Sequence, residues 1–165
     1  MDYKIVLSDI DGTLLTTDHR VLPRTADAIR QIVAKGIPFV LVSARMPEAI
    51  APIIKEIGVS AAMISYNGAL IITPEGMEIH DERMSRAHTD AVLNLIAKDY
   101  PEASMSYYAG HIWYVHSRDD ADVQREEGIT GVQSVEGNFQ RLIAEDILPN
   151  KLFAMGAPEL IARME

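Results

Sequence analysis

Cysteine is absent from the sequence, which excludes disulfides, zinc–thiolate centres and thiol nucleophiles. Positive charge is scarce. Lys and Arg number 15 against 24 Asp and Glu, a net charge of −9. A basic surface for nucleic acid is therefore not expected, and an anionic ligand would need a local positive centre such as a metal ion, a lysine or a helix N-terminus. No apolar run approaches the ~18 residues of a membrane span, and the N-terminus lacks the basic-then-apolar pattern of a secretory leader. No membrane partner and a cytoplasmic location are the expectations. Repeats and low-complexity segments are missing too.

What is present is an ordinary globular composition, 48% apolar over 165 residues, enough for one domain or two small ones. Ile5–Ser8 reads as a short buried strand. A polar loop follows from Gly12 to Leu22. Pro23–Lys35 has a proline suited to a first helical turn and places Ala26, Ile29, Ile32 and Val33 on one face, with Gly36 as a stop. Ile37–Val42 is a second strand ending at Ser43. Pro47–Ile57 is a second helix closed by Gly58, with Pro52 expected to distort its first turns. Ala61–Ser65 is a third strand, followed by Asn67-Gly68. Apolar strands alternating with helices predict a parallel sheet with right-handed crossovers, in which ligands bind beyond the carboxyl ends of the strands. Asp9/Asp11, Ser43 and Asn67 all fall at such ends.

After Gly68 the pattern changes. Ala69–Thr73 and Met77–His80 flank Pro74-Glu75-Gly76 as a hairpin. Ser85–Asp99 reads as a helix with Ala87, Ala91, Val92, Leu95 and Ile96 on its apolar side. Ala103–Ala109 and Ile112–His116 form another hairpin around Gly110-His111. Its alternating Tyr107, Tyr108, Trp113 and Tyr114 are expected to pack a sheet. Asp119–Glu127 is a charged helix candidate, Phe139–Ile143 a short element, Lys151–Met155 a strand and Pro158–Met164 a helix. This half reads as an α+β module, giving domains 1–82 and 83–165.

The sharpest local feature is "SDIDGT", Ser8–Thr13. Two like charges two residues apart repel unless a cation or a shared proton relieves them. At the end of a strand, one carboxylate can attack an electrophile such as phosphorus, while the other gives a proton to a leaving oxygen and later takes one from water. Gly12 permits a sharp turn that exposes N–H groups to an anion. An isolated D-x-D is more often a solvated loop. The apolar run before it and Ser43 on the next strand favour a site.

At these residues the sequence resembles a family. "DIDGTLL" at Asp9–Leu15 is similar to the first motif of the haloacid dehalogenase (HAD) superfamily, and "LVSAR" at Leu41–Arg45 to its second. "SYNGA" at Ser65–Ala69 resembles the turn of the Cof-type branch, which carries a large α/β cap. "YYAGHIWYV" and "KLFAMGAPEL" look like that cap. The resemblance implies an α/β, three-layer Rossmannoid parallel-sheet core, incomplete in this chain, with an α+β cap. It implies a phosphoric monoester hydrolase acting on a small phosphorylated metabolite through an aspartyl-phosphate. Asp9 would be the nucleophile and a Mg²⁺ ligand. Asp11 would be the acid/base, with its carbonyl on the metal. Gly12 and Thr13 would shape the phosphate loop, Ser43 would bind phosphoryl oxygens, and Arg45, Asn67 and Gly68 would line the substrate side.

The family also requires a stabilising lysine and a later G-D-x-x-N-D motif. No Gly-Asp pair occurs in the chain. Lys98 lies in a cap helix and Lys151 begins a cap strand. "SRDDAD" at Ser117–Asp122 reads as a charged surface. The expectation is an N-terminal portion of a longer phosphatase. A catalytically deficient binding module is the alternative. A phospho-acceptor of the receiver type ranks lower, because the third strand ends in Ser65-Tyr66-Asn67 without an aspartate. Asp18 and His19 read as a solvated loop, with a flap at the site entrance as the other reading.

Overall fold

A computed structural model describes residues 3–164. The chain divides into two compact units, one up to Asp81 and one from Glu82 onward.

The first unit holds one five-stranded sheet in the order β1-β2-β3-β4-β5. Strands β1 (Val6–Asp9), β2 (Phe39–Val42) and β3 (Ala62–Ser65) are parallel. The hairpin β4 (Leu70–Ile72) and β5 (Glu78–Asp81) continues the same sheet antiparallel. Helix α1 (Pro23–Ala34) starts on its proline, and α2 (Pro47–Ile57) runs unbroken through Pro52 and closes on Gly58 in the left-handed region. Ala26 and Ile29 of α1 and Ile50, Ile53 and Ile57 of α2 share one core with Phe39 and Leu41, so both helices cover the same sheet face. Strand β1 corrects the expectation of burial: it lies at the sheet edge, where Leu7 is 55% exposed.

The second unit is a four-stranded sheet ordered β8-β7-β6-β9. Strands β6 (Ser104–Ala109) and β7 (Ile112–Val115) form the expected hairpin, β9 (Lys151–Met155) pairs antiparallel with β6, and the two-residue β8 (Val135–Glu136) adds a parallel edge that the sequence pattern does not reveal. Helices are α3 (Arg86–Asp99), α4 (Ala121–Thr130), α5 (Phe139–Ala144) and α6 (Pro158–Met164). The four aromatics split by strand alternation. Tyr107 packs with Leu93, Ile96, Phe139 and Leu142. On the opposite face Tyr108 and Trp113 stack at 5.6 Å, and the Trp113 indole N–H donates to the Ser106 hydroxyl at 2.9 Å.

Helix α3 corrects the expected apolar face. Ile96 is buried and Val92 packs against the core as expected, but the other buried residues are Thr89 and Leu93, whereas Ala87, Ala91 and Leu95 are exposed. The helix is rotated by about one residue, ~100°. Thr89 tolerates full burial because its hydroxyl donates to the Ser85 carbonyl at 3.0 Å. The Ser85 hydroxyl in turn caps the helix by accepting from the His88 N–H at 3.2 Å. "SRDDAD" is structural: Asp120 caps α4 through the N–H groups of Asp122 and Val123, and Arg118 pairs with Glu127.

Candidate active site

The carboxyl ends of β1, β2 and β3 build the site. Ile10, just past β1, is fully buried. Its carbonyl accepts the N–H groups of Thr13, Leu14 and Leu15 at 3.4, 3.0 and 3.0 Å, which curls the chain back on itself. Side chains on either side of a buried residue in extended backbone point away from the core. Asp9 and Asp11 are accordingly both exposed. Gly12 follows at φ +73°, where a residue with a Cβ is strained. The Thr13 hydroxyl donates to Asp9 Oδ2 at 3.3 Å.

The loop after β2 is tied to β1 and to β3. Ser43 is buried; its N–H donates to the Ile64 carbonyl at 2.9 Å and its carbonyl accepts from Asn67 N–H at 3.0 Å. The Ser43 hydroxyl accepts from Arg45 N–H at 3.1 Å. Arg45 then reaches Asp11, donating from Nε to Oδ2 at 2.9 Å and from Nη2 to Oδ1 at 2.6 Å. The Arg45 hydrogen bond holds the Asp11 carboxyl below its ordinary range; partial burial opposes this, and the charges of Arg45 and His19 reinforce it.

After β3 the backbone is strained. Tyr66, Asn67 and Gly68 lie at φ 52°, 56° and 110°. Tyr66 is a buried, bulky residue in the left-handed region, held there by donating its N–H to the Arg45 carbonyl at 3.2 Å. Ser65 beside it is fully buried, and its hydroxyl has no hydrogen-bond partner. The loop from Leu15 to Val21 is closed by an antiparallel bridge, with His19 left-handed at its turn. His19 lies close enough to Asp11 for its charge to be felt.

The structure thus brings Asp9, Asp11, Gly12, Thr13, Ser43, Arg45 and Asn67-Gly68 to one sheet edge. The Asp11–Arg45 pair and the Tyr66 strain carry no sequence signal of their own. The lysines weighed as stabilisers lie in the second unit. Lys98 pairs with Asp99 at 3.8 Å, and the Lys151 ammonium sits 5.1 Å from the Tyr108 ring centroid and 4.7 Å from that of Phe153. Among the described residues no three His, Cys, Asp or Glu side chains group to hold a metal. Asp9 and Asp11 offer oxygen donors, the kind that a hard cation takes.

Paired acids, a buried serine and a glycine turn thus meet at the carboxyl ends of parallel strands, the place where ligands bind in such sheets. Residues 6–161 match the model of the haloacid dehalogenase-like hydrolases, and the chain belongs to that family. It is 29% identical over 165 residues to a Haemophilus influenzae protein provisionally named a phosphatase, covering all of this chain and 61% of that one. It is 29% identical over 98 residues to the glucosyl-3-phosphoglycerate/mannosyl-3-phosphoglycerate phosphatase of Persephonella marina, covering 59% of this chain and 36% of that one. A haloacid dehalogenase-like hydrolase from Bacteroides thetaiotaomicron shares the fold, with a TM-score of 0.82 at 23% identity, covering 99% of this chain and 62% of that one. The chain thus spans about three-fifths of the length of the Haemophilus relative and of the Bacteroides protein. No described helix is long and apolar enough to cross a membrane.

Proposed function

We propose that this chain carries the nucleophile half of a Cof-type phosphatase that hydrolyses a small phosphorylated metabolite. The observation that carries the reading is the convergence of Asp9, Asp11, Ser43 and the Gly12 turn on one sheet edge, in a chain whose family relatives include named phosphatases.

An Asp9 oxygen attacks phosphorus, and the bond from phosphorus to the leaving oxygen breaks, giving an aspartyl-phosphate. Asp11 gives its proton to the leaving oxygen. It then takes one from the water that attacks the phosphoryl group, and phosphate and free Asp9 are regenerated. The Thr13 hydroxyl fixes the Asp9 carboxylate. The Ser43 hydroxyl, held in place by the Arg45 N–H, donates to a phosphoryl oxygen. The open backbone at Gly12 presents N–H groups to the same oxygens. Mg²⁺, held by the Asp9 carboxylate and the Asp11 carbonyl, would offset the negative charge gathered on the phosphoryl group. The second unit is assigned as the α+β cap domain of such a phosphatase. The net charge of −9 places the burden of anion binding on these local groups.

The test is Mg²⁺-dependent phosphate release from p-nitrophenyl phosphate, by this chain and by the longest encoded form, each as wild type and as Asp9→Asn. Activity is expected in the longer form and lost in Asp9→Asn. An inactive long form, or an active Asp9→Asn, rejects the reading.

A further inference from the structure

The Asp11–Arg45 pair supports a second step that rests on the phosphatase reading. We propose that Arg45 is a transferable clamp: without ligand its guanidinium holds Asp11, and when a phosphoryl group arrives it passes to that group and frees Asp11 to act on the leaving oxygen.

Three observations carry this. Both Asp11 oxygens are engaged by the same guanidinium, at 2.9 and 2.6 Å, so the resting geometry turns the carboxylate towards Arg45. The Arg45 main chain is pinned on both sides, its N–H on the Ser43 hydroxyl at 3.1 Å and its carbonyl under the Tyr66 N–H at 3.2 Å. A change of partner is therefore a side-chain rotation about a fixed Cα, beside the serine that binds the same phosphoryl group. Finally, the burial of the pair is unequal: the Arg45 side chain is 14% exposed and that of Asp11 51%. Water can replace Arg45 on Asp11 at little cost, whereas the largely buried guanidinium must keep an anion. A phosphoryl dianion offers the same paired-oxygen edge with more charge, and the planar guanidinium matches it. An ion pair with one exposed member contributes little net stability, which suits a contact that must exchange.

The experiment titrates the isotope-labelled chain with inorganic phosphate, with and without Mg²⁺, and follows the Arg45 Nε–H and Asp11 carboxyl-carbon NMR signals. The Arg45 signal is assigned by its loss in Arg45→Lys, which keeps the charge without the paired geometry. Both signals should move together and saturate. If Asp11 occupies Arg45 about nine-tenths of the time, Asp11→Asn raises apparent phosphate affinity about tenfold, and the gain disappears in Asp11→Asn/Arg45→Met. An Arg45 signal that stays still in both arms overturns the clamp. So does an Asp11→Asn gain that survives intact in the double variant, since simple relief of repulsion would then explain it. The titration involves no turnover, so its failure leaves Asp9-dependent hydrolysis standing, and a failed hydrolysis assay leaves the titration readable.

Discussion

Arg45 grips both carboxylate oxygens of Asp11 across 34 residues of sequence. The guanidinium lowers the folded-state pKa of Asp11 from its ordinary 3.8. A depressed acid contributes stability at pH values above its unfolded pKa and loses it as pH falls through the folded one. With Asp11 half exposed, solvent screening limits the pair to about 0.2–1 kcal/mol. Arg45→Met should lower stability by that amount near neutral pH and by progressively less below about pH 4. Thermal unfolding across that range checks it; a loss that stays constant into acid is inconsistent with the ion pair as its source.

Ser43→Ala removes a hydroxyl that accepts from the Arg45 N–H and is assigned to a phosphoryl oxygen. A hydrogen bond to a charged group is worth about 1.5–3 kcal/mol, so kcat/KM for p-nitrophenyl phosphate should fall about 10- to 100-fold in the long form. Unchanged kinetics would remove Ser43 from the site.

In the second unit, Glu127 accepts from Arg118 Nε and Nη2 and from both the N–H and the hydroxyl of Ser134, at 2.7–3.2 Å. These bonds, with Arg118 first, depress its pKa from 4.5 to about 2. Glu127→Ala leaves the buried Ser134 donors unpaired and should destabilise the chain by about 1–3 kcal/mol. The wild type should shed this contribution as pH falls from about 4.5 towards about 2. Urea unfolding at neutral and acidic pH reads both.

Leu93 and Leu95 are neighbours on α3 with opposite fates, 8% and 53% exposed. Leu93→Ala should cost about 2–5 kcal/mol and Leu95→Ala at most about 0.5 kcal/mol. Equal losses in chemical denaturation would mean that the helix face is misassigned.

Most of the elements are legible in the sequence because they are written in short-range terms. Pro23 and Gly58 mark helix ends through their own backbone preferences, and short apolar runs mark the strands, though not their burial: β1 falls at the sheet edge. The hairpin around Gly110 shows in alternation alone. Where a signal is ambiguous, packing decides. On α3 the apolar Ala87, Ala91 and Leu95 extend the stripe of Val92 and Ile96 on one side, and Thr89 and Leu93 extend it on the other. Thr89 and Leu93 are buried because Thr89 satisfies its hydroxyl on Ser85 and because Tyr107 and Phe139 lie on that side. The edge strand β8 has only two residues, too few for any period to register.

The candidate site divides in the same way. Asp9, Ile10, Asp11 and Gly12 are consecutive, so the strand's twofold alternation and one glycine turn place both carboxylates outside the core, and the sequence alone determines that. The pairing of Asp11 with Arg45, the seat of Ser43 between Ile64 and Asn67, and the left-handed Tyr66 beneath Arg45 were decided only by tertiary structure. Each depends on which strands become neighbours and in what register, and that is set by the burial of many residues together rather than by any local preference.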